Sequence, residues 1–413
     1  MESSKVKYKF IEGYERVGYY VPGGYHLVSL VVDKLRFGRN ATTWLAEDTR
    51  KHCLVALKIS TAESAHRTRE LELLMRLRET KSSHMGSGLV QILQDAFIIS
   101  CPNGTHQCLV SSFERISLNG VNELPFHRLL PLPAARAIAA QLVLGLHFIH
   151  SEGIVHGDLH AGNILLQLPP DMQNISLKQL RRQKGEPMKE PVVREDGAPL
   201  DPGVPPEVIM PMWLGIESDK VTLADAQIKT SDFGEAFDPR ISKQYSAHTP
   251  LVVAPPESRF AEDSNEPLSF PSDIWTLACT IWDVFGCRPP FETFEGSLDE
   301  MTVEHVETLG KLPQRWWDLW EGRNRWFDEG RKNVTEDLQQ RYGTLLWGWD
   351  NRFAEYIQLS REKQGLGPLP PDEETAFQQM MKMMLVLEPG ERATISKVLG
   401  CEWMQQWGLP EWR

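Results

Sequence analysis

Several features are missing from this 413-residue sequence, and each absence excludes a class of protein. Its six cysteines are scattered, with no Cys-x-x-Cys pair, which indicates reduced thiols rather than a disulfide framework. No uninterrupted apolar run is long enough to span a bilayer, and the N-terminal residues contain no apolar segment typical of a secretory signal. We therefore expect a soluble intracellular protein that does not bind membranes.

The chain also has fewer positively than negatively charged residues. The chain has 44 Lys and Arg against 56 Asp and Glu, a formal net charge of −12. Direct binding of nucleic acid is therefore not expected, whereas a basic protein would be attracted to such a surface. The same charge is also explained by solubility alone. The length and the hydrophobic fraction of 41% are typical of a soluble globular enzyme with two lobes or domains.

A polar loop between two short apolar runs, at 154–155 and 164–166, is the most informative stretch. The runs predict buried strands that fix the ends of the loop. The loop carries a carboxylate, Asp158, and an amide, Asn163. Phosphoryl transfer requires such a pair, because one oxygen orients the attacking hydroxyl and another holds a magnesium ion. His160 lies between them and is a third candidate.

The segment before this loop contains candidates for binding nucleotide phosphates. Lys58 interrupts an apolar strand at 53–59, where its alternative is to extend to solvent at a sheet edge. A helix follows, and we choose Glu70 as the partner of Lys58, with Glu72 as the competing candidate. Gly38 is the one glycine left of a Gly-x-Gly-x-x-Gly hairpin, where the missing side chain would let backbone amides approach phosphate. Taken alone, this segment also fits a plain β-hairpin.

Two further strands are predicted at 89–97 and 107–111, joined by a Pro-Asn-Gly turn. The residues after them, 111–114, would form a hinge at which the adenine edge binds. Ser112 and Glu114, together with Leu35 on the first strand, are therefore candidate nucleotide contacts. A long buried helix is then predicted from 133 to 151.

More motifs follow in a fixed order: Asp-Phe-Gly at 232–234, Ala-Pro-Pro-Glu at 254–257, Ser-Asp-Ile-Trp at 272–275 and Pro-Gly-Glu-Arg at 389–392. With Val-Ala-Leu-Lys and His-x-Asp-Leu-x-x-x-Asn before them, the set resembles eukaryotic protein kinases over about 27–407. The resemblance implies ATP and Mg²⁺ as cofactors, with Asp232 as a metal ligand. It also implies that Glu257 pairs with Arg392 and that Asp273 binds the backbone of the catalytic loop.

The family implies an α+β, bilobal fold with a small antiparallel-sheet N-lobe and a mostly helical C-lobe. We expect an N-terminal extension at 1–26 that packs on a domain surface, an N-lobe at 27–114 and a C-lobe at 115–413. Residues 168–226 are rich in proline, basic at 178–184 and without periodicity, so we predict a partly disordered insert. Its basic cluster is interpreted as a solvated linker, with a docking or localisation element as the alternative.

Within the kinases, the chain looks most like the SR-protein kinase family, in particular a divergent fungal branch. The resemblance lies in Thr-Thr-Trp-Leu-Ala at 42–46, Ser-Asp-Phe-Gly-Glu-Ala at 231–236 and Leu-Gly-Lys-Leu-Pro at 309–313. It implies a monomeric serine/threonine kinase of the cytoplasm and nucleus that phosphorylates Arg-Ser-rich splicing factors. Glu300 and Glu307 match the acidic docking groove of that family, and their spacing places both on one helix face. An ordinary solvated helix face explains them equally well.

Two departures leave alternatives open. Gly157 replaces the arginine that would bind a phosphorylated activation loop, so we expect activity without such phosphorylation. His160 replaces a lysine that faces the γ-phosphate, and Arg36 and Ala41 replace outer glycines of the hairpin. These changes also fit a pseudokinase that binds partners without catalysis. The run His-Gly-Asp-Leu-His fits a small-molecule phosphotransferase as a third possibility.

Overall fold

The computed structural model describes residues 8–27, 33–80, 83–122, 127–328, 331–332 and 348–413. The chain divides into two compact units. The first unit comprises Met1–Lys81, Gln91–Ile116 and Leu168–Gly215, and the second comprises Ser82–Val90, Ser117–Gln167 and Ile216–Arg413. The N-lobe was predicted to end at residue 114, and in the structure the corresponding part of the first unit ends at Ile116. Leu168–Gly215, however, was predicted to belong to the C-lobe, and the structure assigns it to the first unit.

The elements have the following bounds. The strands are β1 (Asp33–Phe37), β2 (Ala41–Asp48), β3 (Cys53–Ser60), β4 (Leu93–Cys101), β5 (Gly104–Ser112), β6 (Ile116–Ser117), β7 (Ile164–Leu166), β8 (Lys189–Pro191), β9 (Glu207–Ile209), β10 (Ile228–Thr230), β11 (Phe327–Asp328) and β12 (Arg331–Lys332). The α-helices are α1 (Ala62–Ala65), α2 (Glu70–Glu79), α3 (Leu118–Asn122), α4 (Leu132–Ser151), α5 (Leu177–Lys184), α6 (Ala261–Ser264), α7 (Phe270–Phe285), α8 (Leu298–Leu309), α9 (Gln314–Leu319), α10 (Trp349–Phe353), α11 (Ser360–Lys363), α12 (Pro371–Met384), α13 (Ile395–Leu399) and α14 (Leu409–Trp412).

The first unit is built on a five-stranded antiparallel sheet in the order β1-β2-β3-β5-β4. A tight turn at 102–103 joins β4 to β5, as the sequence predicted. In the central strand β3, buried Val55 and Ile59 are β-branched residues that favour a pleated, packed surface. The first strand, β1, begins at Asp33, and residues 28–32 lie outside the described residues.

The segment 168–215 packs against the sheet unit, which corrects the prediction of a partly disordered insert. Its helix α5 begins with a capping box, in which Ser176 and Gln179 bond each other's backbone amides. Leu180, within this helix, is fully buried in a cluster with Leu45 and Phe113. The apolar residues of this segment are too widely spaced to show a period. They are buried by residues distant in the chain, which no local pattern could reveal.

The N-terminal segment, residues 8–26, packs as predicted on the surface of the first unit. Its buried residues Tyr14, Val17, Tyr20 and Tyr25 form a cluster with three valines of the segment 168–215, namely Val192, Val204 and Val208. Each of the three tyrosines buries a large apolar area against these valines, so the two segments stabilise each other.

The second unit is organised around α4. This helix is long and apolar enough to cross a membrane by length and composition, but 78% of its most apolar 18-residue stretch is buried inside the protein, as in the core helix of a globular unit. It packs against α7, whose residues Trp275 and Trp282 are fully buried. Strands β7 and β10 pair in antiparallel fashion beside it, with Thr230 opposite Ile164.

Candidate active site

In the first unit, Lys58 and Glu70 form the predicted ion pair. The Nζ of Lys58, on β3, lies 2.7 Å from both carboxylate oxygens of Glu70, the first residue of α2. The carboxylate also lies at the helix N-terminus, where the helix dipole favours negative charge. Glu72, the competing candidate, is exposed and bonds Arg69 instead, which lowers the pKa of its carboxyl. The structure therefore favours Glu70.

The backbone amide of Gly38 bonds within its own hairpin. Its amide donates to the carbonyl of Ala41 at 2.9 Å, so that N–H closes the turn and does not point to a ligand. A Cβ placed on Gly38 would meet nothing closer than that carbonyl oxygen at 4.0 Å. The hairpin therefore accommodates glycine without requiring it.

The other predicted nucleotide contacts also lie in the first unit. Leu35 is half-buried and packs against the cluster that contains Leu45 and Leu180. At the end of β5, the hydroxyl of Ser112 donates to Glu114 at 2.6 Å. This bond fixes the side chain of Glu114 beside the backbone of the predicted hinge.

In the second unit, Asp273 holds the loop that carries Asp158. One oxygen of its carboxylate accepts the amide of His156 at 2.7 Å, and the other accepts the amide of Gly157 at 3.0 Å. Burial raises the pKa of Asp273, but the hydrogen bond from His150 and the amide of Gly157 outweigh burial, and the pKa is lowered. A buried carboxylate with these partners is a fixed structural tie, as the resemblance implied.

The two carboxylate oxygens of Asp158 have different surroundings. Its Oδ2 accepts the amide nitrogen of Asn163 at 3.1 Å, and its backbone carbonyl accepts the same nitrogen at 2.9 Å. Its Oδ1 is buried, and no group among the described residues donates a hydrogen bond to it. Buried acceptors are rarely left without a donor, so this oxygen is suited to accept a hydroxyl proton.

His160 stands beside that oxygen. Its Nδ1 accepts the amide of Gly162 at 3.1 Å, and its Nε2 lies 3.1 Å from the side-chain amide nitrogen of Asn163. That Nε2 lies 3.6 Å from Oδ1 of Asp158, too far for a hydrogen bond. His160 therefore stands next to the carboxylate of Asp158 and contacts Asn163, but it does not bond Oδ1.

Asn163 and Asp232 are candidates for holding Mg²⁺. Asn163 directly precedes β7 and Asp232 follows β10, and the pairing of these strands places both residues at the same end. Ser231 donates through its amide and its hydroxyl to the carbonyl of Asn163, at 2.8 and 2.9 Å. Because the amide nitrogen of Asn163 is held by Asp158, its side-chain oxygen is the end that can ligate a metal.

This donor set fits magnesium. Mg²⁺ is bound by hard oxygen ligands, usually one or two carboxylates together with substrate phosphates. Among the described residues, no group of three or more His, Cys, Asp or Glu side chains could hold a metal ion. One carboxylate and one amide oxygen match the ligands of a metal that is shared with a nucleotide.

Gly157 has a backbone that requires glycine. Its φ is +76°, and a Cβ would lie 2.5 Å from the carbonyl oxygen of Glu235. The arginine that would bind an activation-loop phosphate therefore cannot stand here without moving the backbone after Asp232. That activity does not depend on such a phosphate stays a prediction.

Glu257 and Arg392 form the predicted tie. Two nitrogens of the Arg392 guanidinium donate to the two carboxylate oxygens of Glu257, each at 2.7 Å. Both side chains are buried, and Ser272 adds a hydrogen bond to Glu257 at 3.0 Å. The guanidinium also lies over the ring of Trp275. A planar, bidentate pair of this kind is among the strongest ionic contacts in proteins.

The two glutamates of the predicted acidic groove differ in exposure. Both glutamates lie on α8, but Glu300 is only 8% exposed and accepts the amide of Glu295 at 2.9 Å. Glu307 is half-buried. The charge of Glu300 is directed to the backbone before its own helix, because it lies in the first turn. Equal spacing on one helix face does not make both carboxylates accessible.

One functional candidate was missed by the sequence. Asp283, in the last turn of α7, has a carboxyl whose pKa is raised to about 7 by burial, while the charges of Arg128 and His160 lower it and Glu292 raises it. No hydrogen bond or ion pair from the described residues reaches this carboxyl. The available signal was a lone acid inside the apolar run Ile-Trp-Asp-Val-Phe, and no motif drew attention to it.

Comparisons with known proteins add to this geometry. The family model described as protein tyrosine and serine/threonine kinase matches residues 32–318. The chain is similar to protein kinase dsk1 of Schizosaccharomyces pombe, with 29% identity over 216 residues, which cover 47% of this chain and 40% of that protein. It is also similar to serine/threonine-protein kinase SRPK of Physarum polycephalum, with 25% identity over 411 residues, 91% of this chain and 87% of that protein.

A solved structure shares the fold. The crystal structure of the PF14_0431 kinase domain superposes with a TM-score of 0.58 and 15% sequence identity, covering 91% of this chain and 94% of that one. The likeness confirms the α+β fold that the sequence predicted, with its small antiparallel sheet and its mostly helical second part.

Proposed function

This chain belongs to the protein kinase family, and from that premise we propose that it is an active enzyme that transfers the γ-phosphate of ATP to serine hydroxyls of basic proteins. One observation carries the proposal. Oδ1 of Asp158 is buried and accepts no hydrogen bond from the described residues, while Oδ2 is fixed by Asn163. A pseudokinase would have no need to maintain a buried acceptor without a donor, because such an atom costs stability.

The residues of the two units have separate tasks in this mechanism. Asp158 accepts the hydrogen bond of the substrate hydroxyl and orients its oxygen for attack. Asn163 and Asp232 would hold Mg²⁺, which neutralises phosphate charge when bound. In the first unit, Glu70 holds the Lys58 ammonium in one orientation, so that it can steady phosphate oxygens without losing side-chain freedom on binding.

The preference for basic substrates is supported by charge. The chain has a net charge of −12, and Asp283 offers a carboxyl that no cation of the described residues pairs with. Its electrostatic interaction with His160 relates it to the loop of Asp158. Arginines beside a target serine would supply the missing cation. The similarity to a kinase named SRPK favours Arg-Ser-rich proteins, such as splicing factors, as the substrates. The cytoplasm and nucleus, as the location of such an enzyme, are part of the same proposal.

Replacing Asp283 with asparagine should raise the KM for an Arg-Ser peptide about tenfold, since a hydrogen bond to a charged group contributes about 1.5 kcal/mol or more. Burial raises the pKa of the Asp283 carboxyl to about 7. This carboxyl is therefore mostly neutral at pH 6 and mostly charged at pH 8. The peptide KM of the wild type should therefore fall as pH rises from 6 to 8, and that of Asp283→Asn should not. Steady-state kinetics across this range measures both, and the exposed Asp372→Asn variant is the control. Equal KM values for wild type and Asp283→Asn at pH 8 would contradict the assignment.

A pseudokinase is the second candidate function, because the Gly38 amide is committed to Ala41 and His160 stands where a lysine is expected. A small-molecule phosphotransferase is disfavoured by the tie between Glu257 and Arg392, which would anchor a segment for protein substrates.

Phosphoryl transfer from radiolabelled Mg-ATP tests the proposal directly. The purified chain should label an Arg-Ser repeat peptide, and it should label a peptide with glutamate in place of arginine at least tenfold more slowly, as charge complementarity requires. Stabilisation by Mg-ATP in a thermal-shift titration without any labelled product would support the pseudokinase. Labelling of amino-alcohols or aminoglycosides but not of peptides would support the small-molecule enzyme.

A further inference from the structure

The tip of the β1–β2 hairpin is held by a tyrosine from outside the sheet. The hydroxyl of Tyr25 donates to the backbone carbonyl of Gly38 at 2.5 Å. Tyr25 is 3% exposed, and the rings of Tyr19 and Tyr20 pack against it edge-on, with centroids 5.8 and 5.4 Å away. Its own ring is therefore immobilised, and the bond it makes restrains the turn.

The same N-terminal segment also anchors β1. Both Lys34 of β1 and the hydroxyl of Tyr20 bond the buried carboxylate of Glu15, the latter at 2.7 Å. The Lys34 ammonium also lies 4.4 Å from the ring centre of Trp44 on β2. Burial is the main cause that lowers the pKa of Lys34, and the ion pair with Glu15 opposes it. The hairpin is thus fixed to residues 15–25 at its base and at its tip.

The turn itself has few other restraints. Residues 37–40 are exposed, and Gly38 is the one glycine among them. The carbonyl of Asn40 accepts the amide of Thr61 at 2.8 Å, and the Gly38 amide is bonded to Ala41. Within the described residues, the amides of Arg39 and Asn40 donate to no protein acceptor. They are the donors at the tip that remain for an anion.

We infer that Tyr25 is a positioning residue for nucleotide binding: its hydroxyl fixes the Gly38 carbonyl and so orients the amides of Arg39 and Asn40 towards phosphate. The inference rests on the proposed function, because it takes ATP as the ligand of this hairpin. Fixing a turn before binding removes conformational entropy that the ligand would otherwise have to overcome. Burial raises the pKa of Tyr25 to about 12, so the hydroxyl remains a donor at every physiological pH.

Removing one hydroxyl separates this role from simple packing. Tyr25→Phe keeps the ring in its cluster and removes only the bond to Gly38. Tyr14→Phe is the matched control, since Tyr14 is buried in the same cluster and its hydroxyl bonds no group among the described residues. Both variants are made in the full chain. A hydrogen bond contributes about 1 kcal/mol, which corresponds to about a fivefold change in an equilibrium constant.

For Tyr25→Phe we expect the Kd and the KM for Mg-ATP to rise about fivefold. The kcat at saturating ATP and the KM for the peptide should stay within about twofold, because the chemical groups are untouched. Hydrogen exchange of the amides at 38–42 should accelerate. Tyr14→Phe should change none of these values. Unchanged Mg-ATP binding in Tyr25→Phe, or an equal loss in Tyr14→Phe, overturns the inference in favour of a packing role.

Failure of the proposed function gives a different result. If the wild type binds Mg-ATP but transfers no phosphate, the proposed activity is refuted, and the Kd and exchange measurements still decide the role of Tyr25. If the wild type binds no nucleotide, both proposals are refuted.

Discussion

Replacing Asp158 with asparagine should lower kcat by about 10³-fold, within the range that a positioned acid or base contributes. Oδ2 of Asp158 faces the amide N–H of Asn163, so the new side chain will place its oxygen there. Its NH₂ group then occupies the position of Oδ1, where the substrate hydroxyl needs an acceptor. The substitution therefore converts the acceptor into a donor at the reacting atom while keeping the shape of the side chain.

The same variant should fold and bind nucleotide almost normally. Its melting temperature and its Kd for Mg-ATP are measured beside the rates, and the exposed Asp372→Asn variant shows the effect of losing one negative charge from the second unit. If Asp158→Asn kept a tenth of the wild-type kcat with Arg-Ser peptides, Asp158 would not be the residue that accepts the hydrogen bond of the substrate hydroxyl. A loss of Mg-ATP binding would instead show that the substitution disturbs the metal ligands.

The sequence predicted the pairs whose chemistry is carried by short motifs. Lys58 with Glu70 and Asp158 with Asn163 were proposed from the motifs that contain them, and the pairing of Glu257 with Arg392 was implied by the resemblance to protein kinases. Each pair contains a charge or an amide that would be costly to bury alone. The antiparallel sheet was predictable for a similar reason, since β-branched residues and a Pro-Asn-Gly turn specify strands locally.

Contacts between distant segments were not predictable in this way. Leu180 and Val208 belong to a stretch without periodicity, and only the fold shows that they are buried with Phe113 and Tyr14. The exposure of a single side chain could not be predicted from local pattern either. Glu300 has the spacing of an exposed helix face, yet its carboxylate accepts a backbone amide and is buried. Whether an acid is accessible depends on the chain that packs over it, and one sequence does not contain that information.

Gly38 shows the limit of a motif interpretation. Glycine at this place suggested that backbone amides of the hairpin approach phosphate, and the structure commits the amide of Gly38 itself to Ala41. The remaining donors belong to Arg39 and Asn40, two residues that carry side chains. Their orientation depends on Tyr25, which no nucleotide-binding pattern includes.

Replacing Arg392 with methionine should destabilise the second unit by about 3–5 kcal/mol, because it leaves the Glu257 carboxylate buried without its cation. Both side chains are at most 6% exposed, so water cannot substitute for the guanidinium. The hydrogen bond from Ser272 would remain, but a neutral donor does not compensate for a lost charge. Urea unfolding followed by far-UV circular dichroism measures the change in the free energy of unfolding.

Two further variants separate the buried charge from the lost packing of the side chain. Glu257→Leu combined with Arg392→Met removes both charges, and this double variant should be more stable than Arg392→Met alone, since replacing a whole buried pair is often neutral. Arg67→Ala breaks an exposed pair with Glu63 and should change stability by less than about 1 kcal/mol, because solvent screens that pair. If the double variant were as unstable as Arg392→Met, packing against Trp275 and not the unpaired Glu257 would explain the loss. If Arg392→Met were no less stable than Arg67→Ala, the pair would not be the tie that fixes the segment of Glu257.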